Sequence, residues 1–355
     1  MNPLVVELSA PRAVFGANAL MQAPKELARL GVTRVLIIAS ASQRELAARL
    51  ENALGPSCAS VFSDVRMHVP AELVGDAFER LVSTAADGIL CVGGGSTVGL
   101  AKALVLRHSA PIVAVPTTYA GSEATSIYGI TDKGQKKTGR DPAVLPKSIV
   151  YDPALTFGLP ANLTVTSGLN ALAHAFEALY ADNANPLVTA VAIEAVRALV
   201  EALPAAKANP QDRAARQECQ YGAYLCGVAL GNASMSLHHK VCHVLGGSFA
   251  LPHAEVHSVM LPYALAYNAP CAPRLTRVGA FLPGRDVPAG VRAFAAALGA
   301  PSSLREIGME ESDLDRAANL MCAAPYPNPR PLHPAYIRAM LLDAYTGAEP
   351  RSEFA

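Results

Sequence analysis

The chain has 355 residues, 51% of them hydrophobic and only 16% charged, which is enough apolar material to bury a large core and to form two domains. Its 29 basic and 29 acidic residues cancel, so no overall field draws it to nucleic acid or to an anionic membrane. No apolar run approaches the ~20 residues that span a bilayer. A small-molecule partner is expected. The start, Met1-Asn2-Pro3-Leu4, lacks a basic segment followed by an apolar one, which makes the cytoplasm the expected compartment. Seven cysteines, an odd number without framework spacing, fit reduced, mostly buried thiols.

The first 150 or so residues alternate between apolar β-branched runs and amphipathic ones. Thr33-Arg34-Val35-Leu36-Ile37-Ile38-Ala39-Ser40 reads as a buried strand, followed by a helix over residues 43–54. The stretch around Pro70-Ala71 carries no clear signal. Residues 74–86 are helical in pattern, 88–92 form a continuous apolar strand, 98–106 are again helical, and 111–115 repeat the strand pattern. Such strands suit a parallel sheet covered on both faces. After about Asp152-Pro153 the strand signal fades, and Ala- and Leu-rich helical runs follow through 189–203, 219–228 and 291–298. The reading is an α/β domain followed by a helical one, with a cleft between them.

The strand at 88–92 runs into Gly93-Gly94-Gly95-Ser96-Thr97 and then a helix. Glycines let the backbone approach a ligand closely, and the N–H groups opening a helix favour a pyrophosphate. The spacing is not G-x-G-x-x-G, and a tight structural turn would look the same. Its place at the carboxyl end of a buried strand, where open α/β sheets bind nucleotides, favours the functional reading. The next strand ends in Pro116-Thr117-Thr118-Tyr119-Ala120-Gly121-Ser122-Glu123, which offers hydroxyls beside the same crevice.

In the second half, Asn170 and His174 stand four apart on one helical face. Five of the nine histidines, His238, His239, His243, His253 and His257, fall within twenty residues. Imidazole binds metals and moves protons near neutral pH, so this concentration asks for a catalytic or metal-binding explanation. Read singly, His238 and His257 could equally be packing or surface residues, and His68, His108 and His333 have no functional context. Cys242 reads as a packed thiol. Glu177 either orients His174 or belongs to an exposed helix face.

Taken together, Gly93-Gly94-Gly95-Ser96 with Lys102, Pro116-Thr117-Thr118 through Ser122-Glu123, the run from Gly168 to Glu177, and His239 through His253 resemble the iron-containing (group III) alcohol dehydrogenase family, and within it the maleylacetate reductase branch. The resemblance implies an iron-containing alcohol dehydrogenase/dehydroquinate synthase-like fold. That fold joins an NAD(P)-binding α/β domain with a parallel sheet, here 1–155, to an all-α catalytic domain, here 156–355. It puts the family's metal-ligand positions on Asn170, His174, His239 and His253, and His243 near nicotinamide and substrate. The metal-dependent members carry aspartate where this chain has Asn170, so no functional metal is expected. Gly99 likewise stands where an aspartate is common.

The implied reaction is NADH- or NADPH-dependent reduction of the double bond of maleylacetate to 3-oxoadipate in aromatic-compound breakdown, by a homodimer. Hydride addition β to the ketone makes an enolate that must be stabilised and then protonated on carbon. His174, His239, His243 and His253 are the expected catalytic residues. Ser40, Gly94, Gly95, Ser96, Thr97, Thr117, Thr118 and Lys137 are expected on the cofactor, and Tyr119, Asn170 and Lys240 on the dicarboxylate substrate. Lys136 and Arg140 are further candidates for its carboxylates or the cofactor phosphates. Two other readings compete: a metal-dependent dehydrogenase of a small alcohol or aldehyde, which Asn170 argues against, and a non-catalytic nucleotide sensor, which the retained histidines argue against.

Overall fold

The computed structural model describes residues 5–67, 69–132 and 135–354, with the side chains of residues 135 and 136 outside that description. The sequence readings of His68 and of the Lys136 side chain therefore lie outside the described residues. The chain forms two units. One comprises Ala10–Leu159 and Pro210–Tyr224, and the other comprises the segment up to Ser9, Pro160–Asn209 and Leu225–Ala355.

A single cut at residue 155 is thus replaced by crossings after Ser9, Leu159, Asn209 and Tyr224. Hydrogen bonding explains why residues 210–224 belong with the α/β unit. Arg216, fully buried, donates to the Tyr119 hydroxyl at 3.0 Å, and Gln220 donates to the carbonyl of Asp152 at 3.1 Å. Neither segment could have declared this from its own periodicity.

The α/β unit contains β1 (Arg12–Phe15), α1 (Ala23–Arg29), β2 (Val35–Ala39), α2 (Arg44–Leu54), β3 (Cys58–Phe62), α3 (Ala71–Ser83), β4 (Gly88–Gly93), α4 (Gly95–Val105), β5 (Ile112–Pro116), β6 (Ile127–Asp132), β7 (Gln135–Arg140) and β8 (Ser148–Tyr151). Six strands form one parallel sheet in the order β1-β8-β5-β4-β2-β3. Every residue of β2, β4 and β5 is buried, as β-branched strands covered on both faces should be. Register sets Gly93 at the end of β4 opposite Pro116 at the end of β5, so the glycine turn and the Thr117–Ser122 segment leave the sheet side by side.

Strands β6 and β7 make a separate antiparallel hairpin, an element that the sequence reading did not assign. Tyr128 lies across from Gly139, and a Cβ on that glycine would come within 2.4 Å of the phenol oxygen. An aromatic ring covering a cross-strand glycine stabilises a pair whose own composition is too polar to announce a strand.

The helical unit contains α5 (Ala161–Tyr180), α6 (Pro186–Ala208), the later part of α7 (Arg213–Gly231), α8 (Leu237–Ser248), α9 (His253–Asn268), α10 (Val287–Ala297), α11 (Leu314–Cys322) and α12 (Pro334–Thr346). Asn185 caps α6 by accepting from the N–H groups of Leu187 and Val188, with Pro186 at the first helical position. Gly168 lets α5 lie close to α6, since a Cβ there would sit 2.5 Å from Leu203. Gly246 and Gly247 fall inside the last turn of α8. No disulfide forms among the described residues, and no helix is long and apolar enough to cross a membrane.

Candidate active site

Helix α5 is buried along almost its whole length. Within its apolar run Asn170, His174 and Glu177 recur at spacings of four and three, which sets them on one face. Glu177 is completely buried. One of its carboxylate oxygens accepts from the backbone N–H groups of His238 at 3.0 Å and His239 at 3.4 Å, and the other pairs with His239 Nδ1.

Ser236 at the start of α8 makes no side-chain cap, so a carboxylate from another helix satisfies that first turn, where negative charge is favoured. The same carboxylate orients His239. The sequence reading left this residue out and offered His174 or an exposed face for it; the structure corrects both. The signal was a lone acid in the apolar run Ala171–Leu179, one helical turn beyond His174.

Helix α9 opens on His253 and brings His257 one turn later. The ring of His239 lies 5.1 Å from that of His174, nearly parallel at 27°, with His257 at 5.4 Å, His238 at 5.6 Å and His243 at 6.2 Å. His257 in turn lies 4.6 Å from His253 and 4.9 Å from His238. All six imidazoles of residues 174–257 thus form one assembly, including His238 and His257, for which spacing alone left an even choice between a catalytic role and a packing or surface one.

Burial, reinforced by neighbouring imidazoles, pushes His174, His238 and His257 well below the ordinary histidine pKa, so these rings are neutral. Three polar atoms at positions that the sequence resemblance put forward as metal ligands, Asn170 Oδ1, His174 Nδ1 and His239 Nε2, are buried without a hydrogen-bond partner. Lys240, on α8, holds its ammonium 5.9 Å over the ring of Tyr326. The Tyr326 hydroxyl is also buried and unpartnered. Sequence reasoning missed Tyr326, which lies in the irregular stretch before α12.

In the α/β unit, Gly94 caps α4 without any side-chain bond, and Gly94, Gly95 and Ser96 reach solvent. A Cβ on Gly93, whose φ is +149°, would come 2.4 Å from Thr97 Oγ1, so Thr97 supports the turn from beneath. Thr117 is buried with its N–H on the carbonyl of Gly93, while Thr118 is half-buried and lies against Gly94. Ser40 ends β2 with its hydroxyl 2.9 Å from that of Ser42.

Lys102 is fully buried. Its ammonium donates to the carbonyls of Ser122, Thr125 and Ile127, each at 2.7 Å, and lies 3.1 Å from Thr125 Oγ1. Burial lowers its pKa to about 7 against the opposing pull of Glu123. Three carbonyls around one nitrogen each need a hydrogen, which only the charged form supplies. Lys102 therefore fixes the segment that follows β5, a role the sequence did not assign it.

One expectation changes. Tyr119 is a core residue rather than a substrate contact, because its ring has no exposure and its hydroxyl is engaged by Arg216 and Thr156. Lys137 sits on the hairpin, 70% exposed, in an ion pair with Asp132 at 3.2 Å, a surface pairing of small energetic weight.

Comparison with known proteins agrees with both halves. Residues 10–153 match the iron-containing alcohol dehydrogenase model and residues 164–345 match the C-terminal model of the Fe-containing alcohol dehydrogenase family. The chain is 50% identical to a maleylacetate reductase of Pseudomonas sp. (strain P51), over 96% of this chain and 97% of that one. The crystal structure of maleylacetate reductase from Rhizobium sp. strain MTP-10005 superposes with a TM-score of 0.94 at 48% identity, covering 99% of this chain and 100% of that one. An iron-containing alcohol dehydrogenase from Corynebacterium glutamicum follows at 0.91 and 38%, covering 99% of each chain. The chain belongs to the iron-containing alcohol dehydrogenase family.

Proposed function

We propose that this chain reduces the carbon–carbon double bond of maleylacetate to 3-oxoadipate with NADH or NADPH, as a cytoplasmic homodimer serving the breakdown of aromatic compounds. The observation that carries the reading is the Glu177–His239 pair inside a set of neutral imidazoles. Relatives of nearly equal length and about half-identical sequence that bear the maleylacetate reductase name support the substrate.

The helix α4 amides and Thr118 are assigned to the cofactor's phosphates. Hydride enters the carbon β to the ketone, and the electron pair moves onto the ketone oxygen as an enolate. Asn170 is assigned to that oxygen; rotated half a turn, its amide offers an N–H where its unpartnered oxygen now sits. Because Glu177 holds His239 at Nδ1, Nε2 is the nitrogen that takes up a proton and passes it to the carbon α to the ketone, with the carboxylate stabilising the imidazolium in the interval. His243 and His253 border this ring assembly, and Lys240 is assigned to a substrate carboxylate.

The family name raises the question of iron. Asn170, His174, His239 and His253 offer neutral donors only. The buried carboxylate beside them is engaged by His239 and two backbone amides. A divalent cation would have no anionic ligand there, so this set does not fit a tightly held metal.

Strand β2 ends at Ser40 without an acidic residue to hold a ribose hydroxyl. NADPH is accordingly expected to work within roughly a hundredfold of NADH in kcat/KM, a difference of about 2.7 kcal/mol. The deciding experiment follows nicotinamide absorbance with purified protein, maleylacetate and each cofactor, before and after exhaustive chelation. Turnover that survives chelation supports the proposal. Turnover only of a small alcohol, and only with metal restored, replaces it with the dehydrogenase reading.

A further inference from the structure

The donor set that the family uses for metal has no anion in this chain, yet an ionisable soft ligand lies one turn away. His238, Cys242 and His257 are all buried, at 0%, 0% and 1% exposure. His238 and Cys242 share a face of α8 at a spacing of four, and His257 reaches them from α9. The Sγ of Cys242 is 3.6 Å from His238 Nε2, that nitrogen is 2.9 Å from His257 Nδ1, and the three donor atoms lie within 4.8 Å of one another. His238 Nδ1 is buried without a partner, so the bond between the two rings does not satisfy His238.

We propose that His238, Cys242 and His257 form a binding site for a thiophilic d¹⁰ cation such as zinc or cadmium, separate from the positions the family uses. The chemistry differs from that of the neighbouring set in one decisive respect. Cys242 can give up its proton and bind as thiolate, supplying the negative charge that Asn170 withholds. Two imidazoles complete a set of one sulfur and two nitrogen donors. The separations of 3.6 Å and 2.9 Å suit donors that share one ion at bond lengths of about 2.0 Å to nitrogen and about 2.3 Å to sulfur. Binding replaces the hydrogen bond between the two rings and releases one proton from the thiol and none from the neutral imidazoles.

The ion would lie among the rings described above, since His257 stands 5.4 Å from His239 and 4.6 Å from His253. Its charge would oppose protonation of His239, so occupancy is inhibitory. Because all three ligands are buried, loading requires local opening of α8 and α9 and is slow.

The test uses the full-length protein, freed of metal by chelation and then titrated with zinc or cadmium. Expected are one slowly loading tight equivalent by equilibrium dialysis with elemental analysis, and a thiolate-to-cadmium charge-transfer band in the ultraviolet. Cys242→Ser should abolish the band and weaken binding at least about a hundredfold, since even outer-shell partners contribute up to that much. His257→Gln tests the site by a second route should the serine variant fold poorly. Asn170→Ala should leave binding intact. The proposal is overturned if the wild-type protein takes up no tight equivalent, if binding and band persist in both Cys242→Ser and His257→Gln, or if Asn170→Ala alone removes them. These readouts do not depend on turnover, so they stand or fall apart from the reductase assignment.

Discussion

Glu177 joins three jobs in one carboxyl group: it satisfies the first turn of α8, fixes the ring of His239 and, in the proposed reaction, sets which nitrogen exchanges a proton. Glu177→Gln keeps the size and removes the charge that stabilises the imidazolium. Loss of kcat by about 10²–10⁴-fold with little change in NADH affinity is expected. A loss below roughly tenfold would return Glu177 to a purely capping role. His243→Gln and His253→Gln are expected to lower kcat over the same range, and near-normal turnover in both would remove them from the chemistry.

The buried imidazoles also predict a pH dependence of stability. Unfolded, they take a proton near pH ~6.5; folded, His174, His238 and His257 resist protonation until well below that. Below about pH 6.5 the unfolded chain therefore binds more protons than the native one, so stability is whole above that pH and falls as the medium becomes more acid. Urea midpoints measured from about pH 8 down to about pH 5 should decline over the acid half, and His238→Gln should flatten the decline. A level profile would contradict the neutral burial of these rings.

Among the elements, α4 and the segment after β5 are locked together by Lys102. Lys102→Met would leave three carbonyls without their donor, at a cost on the order of 3 kcal/mol or more. The prediction is a lower thermal midpoint and a weakened NADH dissociation constant, with Lys102→Arg unable to restore both because a planar guanidinium does not fit a cage built around one nitrogen. An unchanged NADH affinity in a folded Met variant would sever this clamp from cofactor binding.

The legibility of the elements followed the same physics. β2, β4 and β5 were readable because strands buried on both faces carry unbroken apolar runs, and α6, α7 and α10 because their apolar positions recur at helical spacing. β1, with four residues, and the polar β6–β7 hairpin were not, since their partners lie far along the chain or on a covering tyrosine. The histidine set was legible by residue type and spacing. Its carboxylate, its two inner rings and the true surroundings of Tyr119 depended on contacts between segments up to 97 residues apart, such as Arg216 on Tyr119.

On the scale of the whole molecule, neither unit is a continuous piece of chain. A fragment of residues 10–159 lacks Arg216 and Gln220, the groups that satisfy Tyr119 and the Asp152 carbonyl. Such a fragment is expected to give no cooperative thermal transition, whereas the same fragment joined by a short linker to residues 210–224 should give one. A sharp transition from the shorter fragment would show that the inserted half-helix is dispensable.

The same interruption bears on synthesis. Chains emerge at about 5–20 residues per second. The 65 residues after Leu159 up to Tyr224 therefore take roughly 3–13 s to follow the first segment of the α/β half out of the ribosome. For that interval the nascent nucleotide-binding half holds a sheet whose buried tyrosine hydroxyl still awaits its arginine. The half that is made first therefore cannot finish until residues 210–224 are made, and a chaperone that protects apolar strands has its longest hold on this chain before α7 is made.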